Sequence, residues 1–453
     1  MNTKKVTSKM SSEKWPLPWL RSIGFRYLII ADGLALFTLM IFITTLRFGT
    51  NWPSYSITYH LISFGIATLI HLTIFYFGGL YEYEQRLGRP AWLPRVSSLS
   101  FIVFLIISFL GLFTSKFLVP RATLVFLFVC TSIAVAFNRW LSCSVRSKRF
   151  GKPRILLIGD KSNVNLAMSH LEDSGGEIEF VGAVAPGGDL LSEIDSAKAT
   201  DVLLLSGQTL VEIYPHPLNE LEQRKIGIYK QITPSDTLLG LQKSRQIAGM
   251  PFVSLLAHAV PQSKLRLKRL LDLIYLLILS PVILALSFLV FIYMCSKTRS
   301  HIFFKQERVG HLGKTFFMWK FRTMHKNAEF EAGAQLASHD DPRILNGMKW
   351  IRKTRLDELP QLLNVLKGDM SLVGPRPERP EFVRLFEERI PGYERRHDMP
   401  PGLTGLAQVQ GHYQTDPSYK LGHDLQYIVN WSPILDLQIG LRTLVVVIHQ
   451  SSR

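Results

Sequence analysis

The side chains best suited to chemistry lie in short charged blocks in the last third of the chain. Asp357 and Glu358 stand side by side, with Arg352, Lys353 and Arg355 before them and Arg376 after them. Upstream come Lys320-Phe321-Arg322-Thr323-Met324 and Asp341-Pro342-Arg343. A guanidinium fork matches phosphate oxygens, and a carboxylate pair can hold a divalent cation or attack phosphorus. Many cations around few carboxylates therefore point to phosphate chemistry. A plainer reading exists: Leu356, Leu359, Leu362, Leu363 and Leu366 have helical spacing, so the two acids could simply cap and charge a helix start. Composition alone favours that cap. A carboxylate nucleophile at a helix N-terminus is nonetheless sensible, because the positive dipole end favours the anion and attracts phosphate.

The elements that must position these blocks begin in a membrane. The chain has 453 residues, 47% of them hydrophobic, and a formal net charge of +17. Apolar segments of helical length run over Phe25 to Thr45, Thr58 to Tyr81, Leu99 to Val119 and Thr123 to Val145, which predicts a four-helix transmembrane bundle over 25–145. Residues 1–24 read as a basic cytoplasmic tail with Lys4, Lys5, Lys9 and Lys14, since no cleavage site follows. Arg86, Arg89, Arg95 and the cluster Arg146, Lys148, Arg149, Lys152 and Arg154 place both ends of the bundle on the cytoplasmic side. His60 and His71 read as packed or interfacial histidines. Cys130, Cys143 and Cys295 lack the paired spacing of a zinc site or a disulfide framework and read as reduced, buried hydrophobes.

Over 152–250 short apolar runs alternate with helical patterns, the signature of a small Rossmann-like α/β domain. Its first turn, Gly159-Asp160-Lys161, lacks the full dinucleotide fingerprint, so a structural or regulatory role is favoured over cofactor binding. The remainder, 262–453, opens with Lys264, Arg266, Lys268 and Arg269 and then an apolar stretch broken by Ser280-Pro281. Proline removes a helix hydrogen bond and crowds the preceding turn. A kinked spanning helix is one outcome. Basic residues on both flanks, continuing at Lys297, Arg299, Lys305 and Arg308, favour instead a re-entrant helix over 268–295 that enters the bilayer and returns, with Ser280 covering a backbone group freed at the bend. Because the basic blocks follow this insertion and lack aromatic interleaving or a reading helix, nucleic acid is excluded in favour of an acidic lipid and a diphosphate.

At these blocks, from Lys268 to about Thr443, the sequence closely resembles the bacterial sugar transferase family, the monotopic polyprenyl-phosphate sugar-1-phosphate transferases. The resemblance rests on Leu356-Asp357-Glu358-Leu359-Pro360-Gln361, Gly374-Pro375-Arg376-Pro377, and Pro401-Gly402-Leu403-Thr404-Gly405 with Ala407-Gln408. It implies a membrane protein of α plus α/β class: the four helices, the Rossmann-like domain, and a catalytic domain with a re-entrant helix and amphipathic surface helices. Asp357 matches the nucleophile and Glu358 the Mg2+ ligand, with Mn2+ as an alternative ion. Arg352 and Arg376 match phosphate-contacting arginines; Lys320, Arg322 and Arg343 belong to matched motifs. Lys268, Arg269 and Asp272 match the base of the re-entrant helix, and Ser280 and Pro281 its break.

The resemblance also implies the partners: a UDP-sugar donor, a polyprenyl phosphate acceptor, membrane lipids, downstream glycosyltransferases and a homodimeric assembly at the bacterial inner membrane. Two positions depart from the family pattern. Arg355 replaces a small polar residue before Leu356-Asp357-Glu358, and Pro400 replaces a lysine or similar before the Pro-Gly motif. Two rival functions remain: a membrane sensor or scaffold that has lost activity, against which the intact Asp357, Glu358, Arg352 and Arg376 argue, and a transferase in which the lipid phosphate attacks the donor directly.

Overall fold

The computed structural model describes the chain except residues 1–17, 50–51, 53–55, 83–86, 88–91, 115–118, 120, 174–177, 188, 206–216, 225, 233–244, 248–249, 256–259, 299–300, 326–342, 411–415 and 452–453. Lys4, Lys5, Lys9, Lys14, Arg86, Arg89, Arg299, Asp341 and Pro342 thus lie outside the described residues. The chain divides into two compact units, Met1–Ala257 and His258–Arg453.

The first unit opens with four apolar helices, α1 (Pro18–Phe48), α2 (Ile57–Phe77), α3 (Trp92–Thr114) and α4 (Arg121–Phe150). Each contains a segment long and apolar enough to cross a membrane, yet only between 28% and 39% of those segments is buried. The buried minority, including Met40, Phe64, Val103 and Leu127, packs the helices together. Leu34, Phe42, Phe109 and Ile133 point outward, which water would disfavour and lipid accepts. His71 is packed, its Nδ1 2.8 Å from the Ala67 carbonyl, and His60 is buried edge-on to Trp52. A charge inside the bundle is matched at once: Asp32 pairs with Arg139 at 2.8 Å and accepts from Asn138 and Tyr81 at 3.0 Å each.

Beyond the bundle β1 (Arg154–Ile158), α5 (Lys161–Asp173), β2 (Glu179–Val184), α6 (Leu190–Ala197), β3 (Asp201–Leu204), α7 (Leu218–Gln223), β4 (Gly227–Gln231), β5 (Arg245–Ile247) and β6 (Met250–Leu255) form a six-stranded sheet of order β2-β1-β3-β4-β6-β5. β1 to β4 run parallel; β5 and β6 add an antiparallel edge. Side chains alternate across a strand, so Ile155 and Leu157 pack under α5 while Leu156 and Ile158 pack under α6 and α7. Burial on both faces explains why β1 reads as an unbroken apolar run.

The second unit begins with α8 (Gln262–Lys297), which is helical throughout despite Pro281. There follow a hairpin of β7 (Phe303–Val309) and β8 (Thr315–Phe321), α9 (Lys349–Lys353), a 3-10 turn at Leu356–Glu358, α10 (Gln361–Lys367), β9 (Ser371–Val373), α11 (Pro380–Arg389), a second 3-10 segment at Tyr393–Asp398, β10 (Gly402–Thr404) parallel to β9, α12 (Leu406–Gln410), α13 (Pro417–Val429) and α14 (Pro433–Ser451).

α8 is tied to this unit at both ends. At its base the buried Lys268 pairs with Asp436 at 2.8 Å, Arg269 donates to the Val365 and Leu366 carbonyls, and Asp272 accepts from Ser371 Oγ at 2.7 Å and Leu372 N at 3.3 Å. Near its end Val290 and Met294 are buried against Phe321, Met348 and Ile351, and Tyr293 donates to the Gly347 carbonyl at 3.0 Å. Between these ties Leu277, Ile278, Val282, Leu284 and Phe288 are exposed, and only 11% of the apolar segment is buried. Pro281 has no N–H to give the Leu277 carbonyl four residues back. Ser280 Oγ supplies that bond instead, at 2.7 Å.

Candidate active site

Asp357 and Glu358 project from the 3-10 turn between α9 and α10, where Arg355 adopts a left-handed backbone with φ of 57°. Such a conformation costs a residue with a side chain about 1–2 kcal/mol, so the surrounding structure must hold it. The turn is closed by the Glu358 N–H, which donates to the Arg355 carbonyl at 3.1 Å. The two acids do not cap α10. Its N-cap is Pro360, which has no side-chain hydrogen bond to offer, so the capping alternative gives way to a turn that presents the carboxylates ahead of the helix.

Glu358 is the buried member of the pair. Its Oε1 accepts from Lys320 Nζ at 3.0 Å and from Arg376 Nη2 at 2.9 Å. Burial alone would raise its pKa, but Lys320, Arg376 and the more distant charge of Arg355 outweigh it and hold Glu358 well below the ordinary carboxylate range. Asp357 has no such clamp. Burial first and the Glu358 charge second push it up to about 6, against the pull of Lys320 and Arg352. Adjacent acids are thus separated into a fixed anion and a more basic carboxylate, the division of roles expected where two acids do different work.

Three elements deliver the cations. Lys320 stands on β8, opposite Phe304 of β7. The far edge of β8 is paired not with a strand but with the fully buried Asn364 of α10, whose Oδ1 accepts from Trp319 N at 3.1 Å and whose Nδ2 donates to the Phe317 carbonyl at 2.8 Å. One side chain thereby fixes the strand bearing Lys320 to the helix that follows the acids. Arg376 lies in the Gly374-Pro375-Arg376-Pro377 loop, which is held at four successive carbonyls. Pro375 accepts from Gly402 N at 2.9 Å, Arg376 from Arg396 Nη2 at 2.9 Å, Pro377 from Arg308 Nη1 at 3.0 Å and Glu378 from Val309 N at 2.9 Å. Gly374, Gly402 and Gly405 let the backbones on either side meet, since a Cβ on Gly402 would collide with the Gly374 backbone and one on Gly405 with the Gly374 carbonyl. The two glycine motifs are halves of one clamp.

Segment 263–450 matches the family described as bacterial sugar transferase. An uncharacterized sugar transferase of Bacillus subtilis is 44% identical over 176 residues, which cover 38% of this chain and 83% of that protein. The chain belongs to the bacterial sugar transferase family. It is also 39% identical over 222 residues to a UDP-N-acetylgalactosamine-undecaprenyl-phosphate N-acetylgalactosaminephosphotransferase of Aeromonas hydrophila, covering 48% of this chain and 52% of the relative. A UDP-glucose:undecaprenyl-phosphate glucose-1-phosphate transferase of Xanthomonas campestris pv. campestris is 36% identical over 222 residues, covering 47% and 45% respectively. The match spans about half the length of these last two relatives.

Within this family member, Lys320, Glu358 and Arg376 are joined by hydrogen bonds, while Arg352 and Arg355 act on the acids through their charge. Arg322 is placed just beyond β8, its N–H donating to the Ile302 carbonyl, and the Arg343 carbonyl accepts from His325 N at 3.0 Å. Lys268, Arg269 and Asp272 form the base of α8, and their polar groups are spent on Asp436, the end of α10 and the start of β9. Asn364, Arg396, Asp424 and Asp436 escaped the sequence reading, because each partner lies far along the chain and no local pattern marks it. Arg308 stood in a quoted motif without a role.

The glycine clamp gives a direct test. Gly402→Ala forces β9 and β10 apart and should destabilise this unit by about 1–3 kcal/mol, as overpacking does. Thermal unfolding in detergent reads the loss; an unchanged melting temperature would remove the clamp from the account.

Proposed function

We propose that this protein transfers a sugar 1-phosphate from a UDP-sugar to polyprenyl phosphate, with undecaprenyl phosphate as the carrier, and releases UMP. The observation that carries this reading is the division within the Asp357–Glu358 pair: a clamped anion beside a more basic carboxylate, ringed by arginine and lysine, in a member of this family. In the first displacement an Asp357 carboxylate oxygen attacks the phosphorus that bears the sugar. An Asp357–phosphorus bond forms, the phosphoanhydride bond breaks, and UMP leaves with the electron pair. In the second, an oxygen of polyprenyl phosphate attacks the same phosphorus and the Asp357 ester bond breaks, which restores the carboxylate and yields a polyprenyl diphosphate sugar.

Among the described residues no three His, Cys, Asp or Glu side chains converge on a metal site. Two adjacent carboxylates nevertheless fit Mg2+, which commonly takes one or two carboxylates and completes its shell with water and substrate phosphate. Glu358 would hold it, with Mn2+ as an alternative. When bound, the ion would neutralise charge on the diphosphate. The protein's own part is to spread further positive charge over the phosphoryl oxygens through Arg352 and Arg376, to keep Glu358 ionised through Lys320, and to leave Asp357 unclamped. Arg322 and Arg343 would extend the same cationic surface toward the nucleotide. Preplaced charge is the main contribution a protein makes to phosphoryl transfer.

The acceptor reaches Asp357 through α8. We read 268–295 as a re-entrant helix, since a straight helix of 36 residues would run about 54 Å, while both ends of α8 pack on one unit and its middle is bare and apolar. The bend falls at Ser280-Pro281, where the orphaned Leu277 carbonyl is already served. This topology sets the active site on the cytoplasmic face of the bacterial inner membrane, where the first membrane-bound step of exopolysaccharide, capsule or O-antigen assembly would feed downstream glycosyltransferases. A homodimer is the proposed assembly.

Asp357→Asn should reduce UMP release to below a few percent of wild type in lipid with Mg2+ and a panel of UDP-sugars, because an amide of the same shape does not attack phosphorus. Glu358→Gln should do the same without rescue by extra Mg2+. Substantial turnover by the Asp357 variant would end the nucleophile assignment. Topology has its own check. With Cys130, Cys143 and Cys295 replaced, single cysteines near Lys264 and near Lys297 should both react only from the cytoplasmic side; labelling of the second from outside would establish a spanning helix.

A further inference from the structure

Arg396 and Asp424 are buried together behind the active site. Arg396 Nη2 is 2.8 Å from Asp424 Oδ2, Nη1 donates to the Tyr393 hydroxyl, and the guanidinium lies over the Tyr393 ring at 5.0 Å. An ion pair so deeply buried is a weak source of stability, because desolvation offsets most of the attraction and apolar residues of similar volume often serve as well. Its retention calls for another task. The geometry supplies one: the same Nη2 also donates to the Arg376 carbonyl at 2.9 Å.

That carbonyl belongs to the residue whose side chain grips Glu358. The chain cannot hold it by an ordinary ladder, for Pro375 and Pro377 on either side have no N–H. The neighbouring carbonyls are held by the Gly402 and Val309 backbones and by Arg308, so Arg396 completes the set at the position that matters most for the site. Arginine suits the task. Its planar fork can bond a carboxylate and a carbonyl at once, whereas a lysine ammonium at the same depth is a point charge without that fixed geometry.

We propose that Arg396, oriented and neutralised by Asp424, is a positioning residue that sets Arg376 in register with Glu358. The inference rests on the transfer reaction proposed above. Arg396 touches neither donor nor acceptor; it acts through the backbone of Arg376. Its loss should therefore slow the chemical step more than it weakens donor binding, and should matter only while Arg376 is present.

The test uses the full chain in lipid with undecaprenyl phosphate, Mg2+ and whichever of UDP-glucose, UDP-galactose and UDP-N-acetylgalactosamine the wild type turns over fastest. Arg396→Lys keeps the charge beside Asp424 but should lower kcat about tenfold or more with KM changed less than about threefold, and should add no loss to Arg376→Ala, as expected for two residues acting as one unit. Hydrogen exchange at the Gly374, Arg376 and Glu378 amides should rise in Arg396→Lys while β7, β8 and α13 stay protected. If Arg396→Lys does not fold, Tyr393→Phe, which loosens the guanidinium without removing it, is read in the same way. Wild-type kcat with unchanged exchange would overturn the proposal, as would an equal loss with and without Arg376. Should the wild type turn over none of the three sugars, the reaction assignment fails, and exchange at 374–378 still decides whether Arg396 sets the loop.

Discussion

Glu358 carries a charge in a place where water reaches little of it, and the two hydrogen bonds on its Oε1 are what make that tolerable. A buried carboxylate without partners would take up a proton and could no longer hold a cation. Much of the second unit can be understood from this requirement. The β7–β8 hairpin exists at the register that brings Lys320 forward, Asn364 closes its free edge, and the glycine clamp between Gly374 and Gly402 brings Arg376 from the other side. Because both cations are committed to Glu358, the neighbouring Asp357 is left with the milder influence of Arg352 and with an affinity for protons that favours nucleophilic attack.

A second constraint is set by the bilayer. The acceptor in the proposed reaction is a lipid phosphate, and the reacting carboxylate must meet it at the depth of the headgroups. α8 is the element with the length and apolar surface to fix that depth, and its polar base is secured by Lys268, Arg269 and Asp272, each buried or bonded into the catalytic unit. Those residues therefore stabilise the entry of the helix rather than meet the lipid themselves. The exposed apolar turns around Pro281 supply the contact with hydrocarbon. In the first unit the lipid-facing helices solve the same problem differently, keeping the Asp32–Arg139 charges inside and paired.

What could be read in the sequence follows the range of the interactions. The apolar helices were legible because hydropathy accumulates over some twenty neighbouring residues, and the alternating pattern around Ile155 to Ile158 is equally local. The charged motifs were legible as motifs. Which cation meets which carboxylate was not, since Lys320 and Glu358 stand 38 residues apart and Lys268 and Asp436 stand 168 apart, and only strand register and helix packing bring them together. The helical spacing of Leu356 to Leu366 also misled in one respect. It runs across a left-handed Arg355, a 3-10 turn and Pro360 before regular helix begins, so the periodic leucines concealed the turn that sets the acids apart from α10.

The central claim is that Asp357 carries the sugar phosphate between donor and acceptor. It is tested most directly by incubating the wild-type protein with Mg2+ and a UDP-sugar labelled in the phosphate next to the sugar, without polyprenyl phosphate, and mapping the label after rapid quenching. The account predicts UMP release close to stoichiometric with the protein, a labelled peptide containing Asp357, and loss of that label on adding undecaprenyl phosphate. A protein that turns over with both substrates present, yet neither releases UMP nor takes up label without the lipid, would show that the lipid phosphate attacks the donor directly and would contradict it.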